Sequence, residues 1–185
     1  MTDDELYRAY LAGDLAAGDE LMLKNSNALT AYLAAFLHNP QDAEDLMLDC
    51  FTVILVDKPR IMDGNFRAYL YRVARNKANR LWKKWLKRNE FSLDETLVIA
   101  DTCQDSAPED VVLARERNAS LQRCLNRITP QYREVLWLIY DRGMSYAQAA
   151  EVLGCNVKKI DHMLDNGKKR LRLELEKEGI THADI

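Results

Sequence analysis

The sequence predicts an all-α chain of two small helical domains, joined by a flexible acidic linker, with a helix-turn-helix in the second. Three observations carry this. The 185 residues include only 7 Gly and 4 Pro, too few for a turn-rich β-sandwich and permissive of long helices. Apolar residues recur at helical spacing, and no stretch alternates convincingly with period two. Periodicity then lapses over residues 91–107, FSLDETLVIADTCQDSA, which carry four acidic groups and no basic one.

Each element has its own punctuation. Thr2 and Glu5 stand at capping-box spacing before Leu6-Tyr7-Arg8-Ala9-Tyr10. A second apolar stretch, Ala28 to Leu37, stops at Asn39-Pro40. A third helix is expected from Asp42 to about Asp57, ahead of Pro59. A fourth runs from near Phe66 to about Arg88, with Phe66, Leu70, Val73, Ala74, Ala78, Leu81 and Trp85 at helical spacing. Helicity resumes at Ser106-Ala107-Pro108-Glu109, where a cap, an early proline and a glutamate agree. Thr129-Pro130 starts a helix over Tyr132 to Tyr140 that Gly143 ends. Ser145 and Gln148 box the start of Tyr146 to Leu153, which Gly154 ends. Asn156 caps a last helix reaching Glu178, with Gly179 as its stop. The expected domains are 1–90 and 108–185, with 91–107 between them.

Charge is segregated along this order. Lys and Arg number 3 against 11 Asp and Glu in residues 1–59, but 10 against 2 in residues 60–90. A chain of net charge −3 can therefore still bind an anionic polymer through one segment, because screening removes distant charges beyond about 8–10 Å. The acidic 91–107 stretch is expected to hold itself off DNA or off the basic segment before it. No apolar run approaches the roughly 18–20 residues of a membrane span, and the start Met1-Thr2-Asp3-Asp4-Glu5 is acidic where a signal peptide is basic. The expectation is a cytoplasmic protein with no membrane insertion. Cys50, Cys103, Cys124 and Cys155 lie far apart, and His38, His162 and His182 complete no ligand pair. Reduced, mostly buried thiols and no metal are expected.

Three constellations carry chemistry. In SYAQAAEVLGCNVKKIDHML, Ala150 precedes Gly154 by four residues and Ile160 follows it by six. A helix-turn-helix needs a small residue for close approach, a left-handed turn residue and a locking aliphatic, although an ordinary helical hairpin shares these needs. Residues 65–88, NFRAYLYRVARNKANRLWKKWLKR, set Arg67, Arg72, Arg75, Lys77, Arg80, Lys83, Lys84 and Lys87 largely off the apolar stripe, with Tyr71, Trp82 and Trp85 interleaved. Cations neutralise phosphates and rings stack on unpaired bases, as single-stranded DNA requires; the plainer reading is a solvated basic face over core tryptophans. In DAEDLMLDCF, residues 42–51, Asp42, Asp45 and Asp49 share one side of a helix beside an apolar stripe of Ala43, Leu46, Cys50 and Ile54. Three aligned carboxylates need water or a basic surface to offset them, and a straight helix holds them too far apart to enclose a metal.

The order of these features resembles the bacterial RNA polymerase sigma factors of the extracytoplasmic-function (ECF) branch. DAEDLMLDCF is similar to their polymerase-binding segment and NFRAYLYRVARNKANRLWKK to their promoter-melting helix. ITPQYREVLWLIYDRGMSYAQAAEVLGCNVKKIDHMLDNGKKRLR is similar to their C-terminal domain. The resemblance implies docking on core RNA polymerase by Asp42, Glu44, Asp45, Leu46 and Asp49. It implies opening of the −10 promoter element by Phe66, Tyr69, Arg72, Asn76, Lys77 and Arg80, with a flipped base near Asn76. Contacts to the −35 element would come from Ser145, Tyr146, Lys158, Lys159, His162 and Lys168. It further implies promoter DNA and an anti-sigma factor as partners, no cofactor and no catalytic residue. The chain departs from the family's habits at Leu48, usually polar, and at Asp161, Met163 and Asp165, in the middle of the recognition helix. A carboxylate there repels phosphate or accepts from cytosine or adenine amino groups.

Two other classes compete. A helix-turn-helix regulator that binds duplex DNA without polymerase accounts for 145–172 but leaves 42–51 and the aromatic-basic helix without a task. An enzyme such as a nuclease would need a nucleophile with its base, a metal cluster or a phosphate loop, and no H-x-x-x-H, G-x-S-x-G or glycine-rich loop is present.

Overall fold

The computed structural model describes residues 1–37, 39–88, 120–121 and 123–180, without the side chains of 85–88. Among these the regular structure is helical and no strand occurs. The 91–107 linker, the Ser106–Glu109 helix start, and Trp85 and Lys87 as side chains lie outside the described residues.

The chain divides into two compact units. The first holds α1 (Asp3–Leu11), α2 (Leu15–Leu37), α3 (Pro40–Asp57) and α4 (Phe66–Arg88). Thr2 and Glu5 form the expected reciprocal box: the Thr2 amide donates to Glu5 Oε2 at 2.8 Å and the Glu5 amide to Thr2 Oγ1 at 3.2 Å. α2 begins well before Ala28. Its start is set by Asp14, whose Oδ1 accepts the amides of Ala16 and Ala17. The stretch 15–27 reads poorly because it exposes Leu15 and Leu23 while burying Asn25, whose Nδ2 donates to Leu21 O at 3.0 Å. α3 starts at Pro40 rather than Asp42, since Asn39 Oδ1 accepts the Gln41 amide and proline takes the first turn.

The core of this unit joins Leu6, Leu21, Leu29 and Leu33 to Ala43, Cys50, Phe51 and Ile54, and both sets to Phe66, Leu70, Tyr71 and Ala74. Aromatic rings tie the helices together, Tyr7 to Phe66 at 5.3 Å and Tyr32 to Tyr71 at 5.2 Å between centroids. α1 also stitches down the last turn of α3 and the residues that follow it. Tyr7 and Tyr10 hydroxyls donate to the Pro59 and Leu55 carbonyls at 2.7 and 2.8 Å. Asp4 Oδ1 accepts the Phe66 amide at 3.1 Å, satisfying a donor that the first turn of α4 leaves free. Beside it Asp3, 5% exposed, pairs with Lys24 at 3.0 Å and with Arg67 at 2.8 Å.

In the second unit residues 123–127 are helical, followed by α5 (Pro130–Leu136), a π-helical turn over Trp137–Asp141, α6 (Tyr146–Leu153) and α7 (Val157–Lys177). The sequence reads one helix over 132–140. The structure widens its end instead, the Arg142 amide donating to Trp137 O, and Tyr140 stands exposed there. Gly143 and Gly154 take positive φ at the two helix ends, as their places in the sequence require. Ser145 and Gln148 exchange the boxed pair of bonds, and Asn156 Oδ1 accepts the Lys159 amide at 2.8 Å. α5 and α7 meet at Gly167, where an added Cβ would lie 3.3 Å from Leu136 Cδ1 and Tyr132 Cβ. Arg127 pairs with Glu178 at 2.7 Å, fastening the end of α7.

Candidate nucleic-acid interface

α4 buries Phe66, Leu70, Tyr71, Ala74 and Ala78, which makes its open side readable. At about 3.6 residues per turn, Tyr69, Arg72, Asn76, Arg80 and Lys83 fall on one side of the helix. Asn76, Arg80 and Lys83 are exposed there, and Tyr69 and Arg72 are half-buried. The Arg72 guanidinium lies over the Tyr69 ring, 5.0 Å from its centroid. Four of the six residues to which the resemblance assigns strand opening thus share a face. Lys83 joins them, and the signal for it is plain in retrospect: it stands seven residues after Asn76.

The other two do not join that face. Phe66 is 0% exposed and packs against the tilted ring of Tyr7, so it supports the helix from within, on the apolar stripe that its spacing predicts. Lys77 turns toward α3, its Nζ 3.6 Å from Asp49 Oδ2. Tyr71, read as an interleaved stacking ring, is 1% exposed and also belongs to the core. An aromatic at helical spacing serves either side of such a helix, and only packing decides which.

α3 presents Asp42, Glu44, Asp45 and Asp49 to solvent. Leu46 is 8% exposed, beneath these carboxylates, and is buried with Ala43, Cys50 and Ile54, the apolar stripe that the helical spacing predicts. The carboxylates have partners within the chain as well as water. Asn39 Nδ2 donates to Asp42 Oδ2 at 3.0 Å, Gln41 Nε2 to Asp45 Oδ1 at 3.4 Å, and Lys77 meets Asp49. Leu48 is exposed in the same row. Burial pushes the Cys50 thiol up to about 12, so this cysteine is inert at neutral pH. Cys50, Cys124 and Cys155 are free thiols, the first two buried. Among the described residues no three His, Cys, Asp or Glu side chains gather as a metal would need, and no helix is long and apolar enough to cross a membrane.

In the second unit, Ala150 and Ile160 are buried on either side of Gly154, as a helix-turn-helix requires. Met163 and Leu164 are buried with Ile160, so Met163 departs from a polar residue without leaving the apolar side of α7. Lys158, His162, Asp165 and Lys169 share the opposite, exposed face, and Lys159 and Asp161 flank it. Asp165 therefore faces outward in the row of cations rather than away from it. His162 meets the Asn166 amide at 3.2 Å. Ser145 Oγ is used as a helix cap, Tyr146 is partly exposed, and Lys168 lies 5.4 Å over the Tyr140 ring. The Tyr140 hydroxyl holds the Lys168 ammonium above its ordinary pKa.

Comparison with known proteins adds to this geometry. Residues 21–88 match the family model Sigma-70 region 2, and residues 118–171 match Sigma-70, region 4. The chain is 28% identical over 173 residues to the RNA polymerase sigma factor NccH of Alcaligenes xylosoxydans xylosoxydans, covering 91% of this chain and 92% of that one. It is 25% identical over 166 residues to the ECF RNA polymerase sigma factor SigE of Mycolicibacterium smegmatis, covering 86% of this chain and 63% of the relative. Its fold is similar to that of the sigma factor RpoE solved in complex with the anti-sigma factor NepR from Bartonella quintana. The TM-score is 0.66 at 21% identity, over 85% of this chain and 96% of that one.

Proposed function

The chain belongs to the ECF branch of the sigma-70 family of RNA polymerase sigma factors, and from that premise we propose how its residues divide the work of initiation. It binds core RNA polymerase and directs promoter recognition and DNA melting. We assign polymerase docking to the exposed carboxylates Asp42, Glu44, Asp45 and Asp49, whose charge sets orientation and association rate. Opening of the −10 element falls to Tyr69, Arg72, Asn76 and Arg80. Binding energy does this work: unpairing costs a few kcal/mol, offset by capture of flipped bases and phosphate contacts. The −35 element is read by α7 through Lys158, Lys159 and His162, with Ser145 and Tyr146 at the start of α6 beside it. Lys168, drawn to Tyr140, contributes from the flank. The proposed division is 1–90 for polymerase and −10 functions and 108–185 for the −35 element, with 91–107 as the tether. The protein acts in the cytoplasm as an initiation factor, not an enzyme, and an anti-sigma protein is its expected regulator, as the RpoE–NepR complex suggests.

The single observation that carries this reading is the shared open face of Tyr69, Arg72, Asn76 and Arg80 next to an acidic helix in the same unit. Its test separates the two steps. Asn76→Ala is expected to leave binding to core polymerase within about twofold and to reduce permanganate reactivity of the −10 thymines roughly tenfold, the worth of lost base-edge hydrogen bonds of about 1–2 kcal/mol. Asp45→Arg is expected to do the reverse. Equal losses in both assays from both variants would refute the division.

A further inference from the structure

Lys77 is a cation on the helix assigned to DNA, and Asp49 is a carboxylate on the helix assigned to polymerase, yet the two are paired. Their separation is 3.6 Å, with side chains 26% and 65% exposed respectively. Lys77 sits one residue, and so about 100°, beyond Asn76 on α4. That offset sets Lys77 on the α3 side of the open face, in line with the buried Leu70 seven residues before it, and its ammonium meets Asp49 there. Among the described residues, Asp42 and Asp45 are held by neutral side-chain amides of their own helix end. Asp49 is the member of the row whose partner is a charge on another helix.

We propose that the Asp49–Lys77 pair is a latch between the two surfaces: polymerase engages Asp49 and thereby frees Lys77 for the DNA backbone. This rests on the assignment of Asp49 to polymerase docking and of α4 to the −10 strand. A basic polymerase surface competes for the Asp49 carboxylate with a lysine in its own molecule. Once displaced, the Lys77 ammonium needs only rotation of its four-carbon stem, not movement of α4, to reach toward a phosphate on the open side. A 3.6 Å pair whose carboxylate is largely in water is weak, which suits a latch that must open. Linkage makes the effect reciprocal: whatever factor the latch costs DNA binding, it also costs polymerase binding.

The test is a double-mutant cycle on the full chain, with a labelled 20-nucleotide single-stranded DNA as probe and no polymerase present. Asp49→Ala is expected to tighten binding about two- to fivefold in the wild-type background, the range an exposed pair can supply. In the Lys77→Gln background the same change should have less than half that effect. An equal gain in both backgrounds means Asp49 merely repels DNA and overturns the latch. Lys77→Gln should in turn tighten binding to core polymerase by a similar factor, and no change there also overturns it. Failure of the underlying assignment is recognised separately, as undiminished polymerase binding by Asp45→Arg, a variant that does not touch the pair.

Discussion

Asp3 shows how one side chain can hold a domain together. Removing a carboxylate from water raises its pKa, but hydrogen bonds from Lys24 and Arg67, and their charges, outweigh this and leave it below the ordinary value. A folded pKa below the unfolded one, about 3.9, means Asp3 adds stability above that pH and loses it as pH falls through the folded value. Asp3→Asn is therefore expected to cost about 1–3 kcal/mol at pH 7. That is less than a fully buried pair would cost, because Lys24 and Arg67 keep 41% and 43% of their side chains exposed. Urea titration should show the difference between variant and parent shrinking when repeated near pH 3. A gap that stays constant with pH would mean the ion pairs contribute nothing and the loss is one of packing.

At the scale of the helix, local signals were legible and distant ones were not. Caps are short-range chemistry, so Thr2 with Glu5, Ser145 with Gln148, and Asn156 could all be read from spacing. The bonds that set α1 against α4 join residues more than sixty positions apart, and no spacing announces that Asp4 caps Phe66. The candidate site divides in the same way. The acidic row, the Tyr69–Arg80 face and the burial of Leu46 and Phe66 follow from the helical period, whereas the burial of Tyr71 depends on which neighbour covers it. Gly18 illustrates the limit. In a helix it looks like a defect, and alanine would ordinarily improve the helix by about 1 kcal/mol. A Cβ at Gly18, however, would lie 2.7 Å from Tyr10 Cδ2, and the Tyr10 ring cannot retreat without giving up its bond to Leu55 O. Gly18→Ala is expected to lower stability by about 1–3 kcal/mol, measured by thermal melting, as overpacking does. A gain in melting temperature would show that α1 can shift freely on α2.

For the whole molecule, the question is how two modest DNA contacts and one protein contact add up to promoter opening. Tethered contacts act together through effective concentration, so loss of either DNA grip forfeits more than that grip's own affinity, on the order of 10²-fold for well-matched tethers. The two losses are nonetheless different in kind. On the proposed division the α7 cations hold duplex, whereas the α4 face is rewarded only once bases are unstacked. A template whose −10 segment is already unpaired removes the few kcal/mol of opening cost that the α4 face must offset. On such a template the run-off transcription defect of Asn76→Ala should shrink at least severalfold relative to duplex promoter. The defect of Lys158→Glu with Lys159→Glu should persist, and it should narrow as salt rises, since each lost phosphate contact makes the variant's salt slope shallower by about one. If both variants recovered alike on the opened template, α7 would also act on strand separation, and the assignment of duplex reading to one unit and opening to the other would fail.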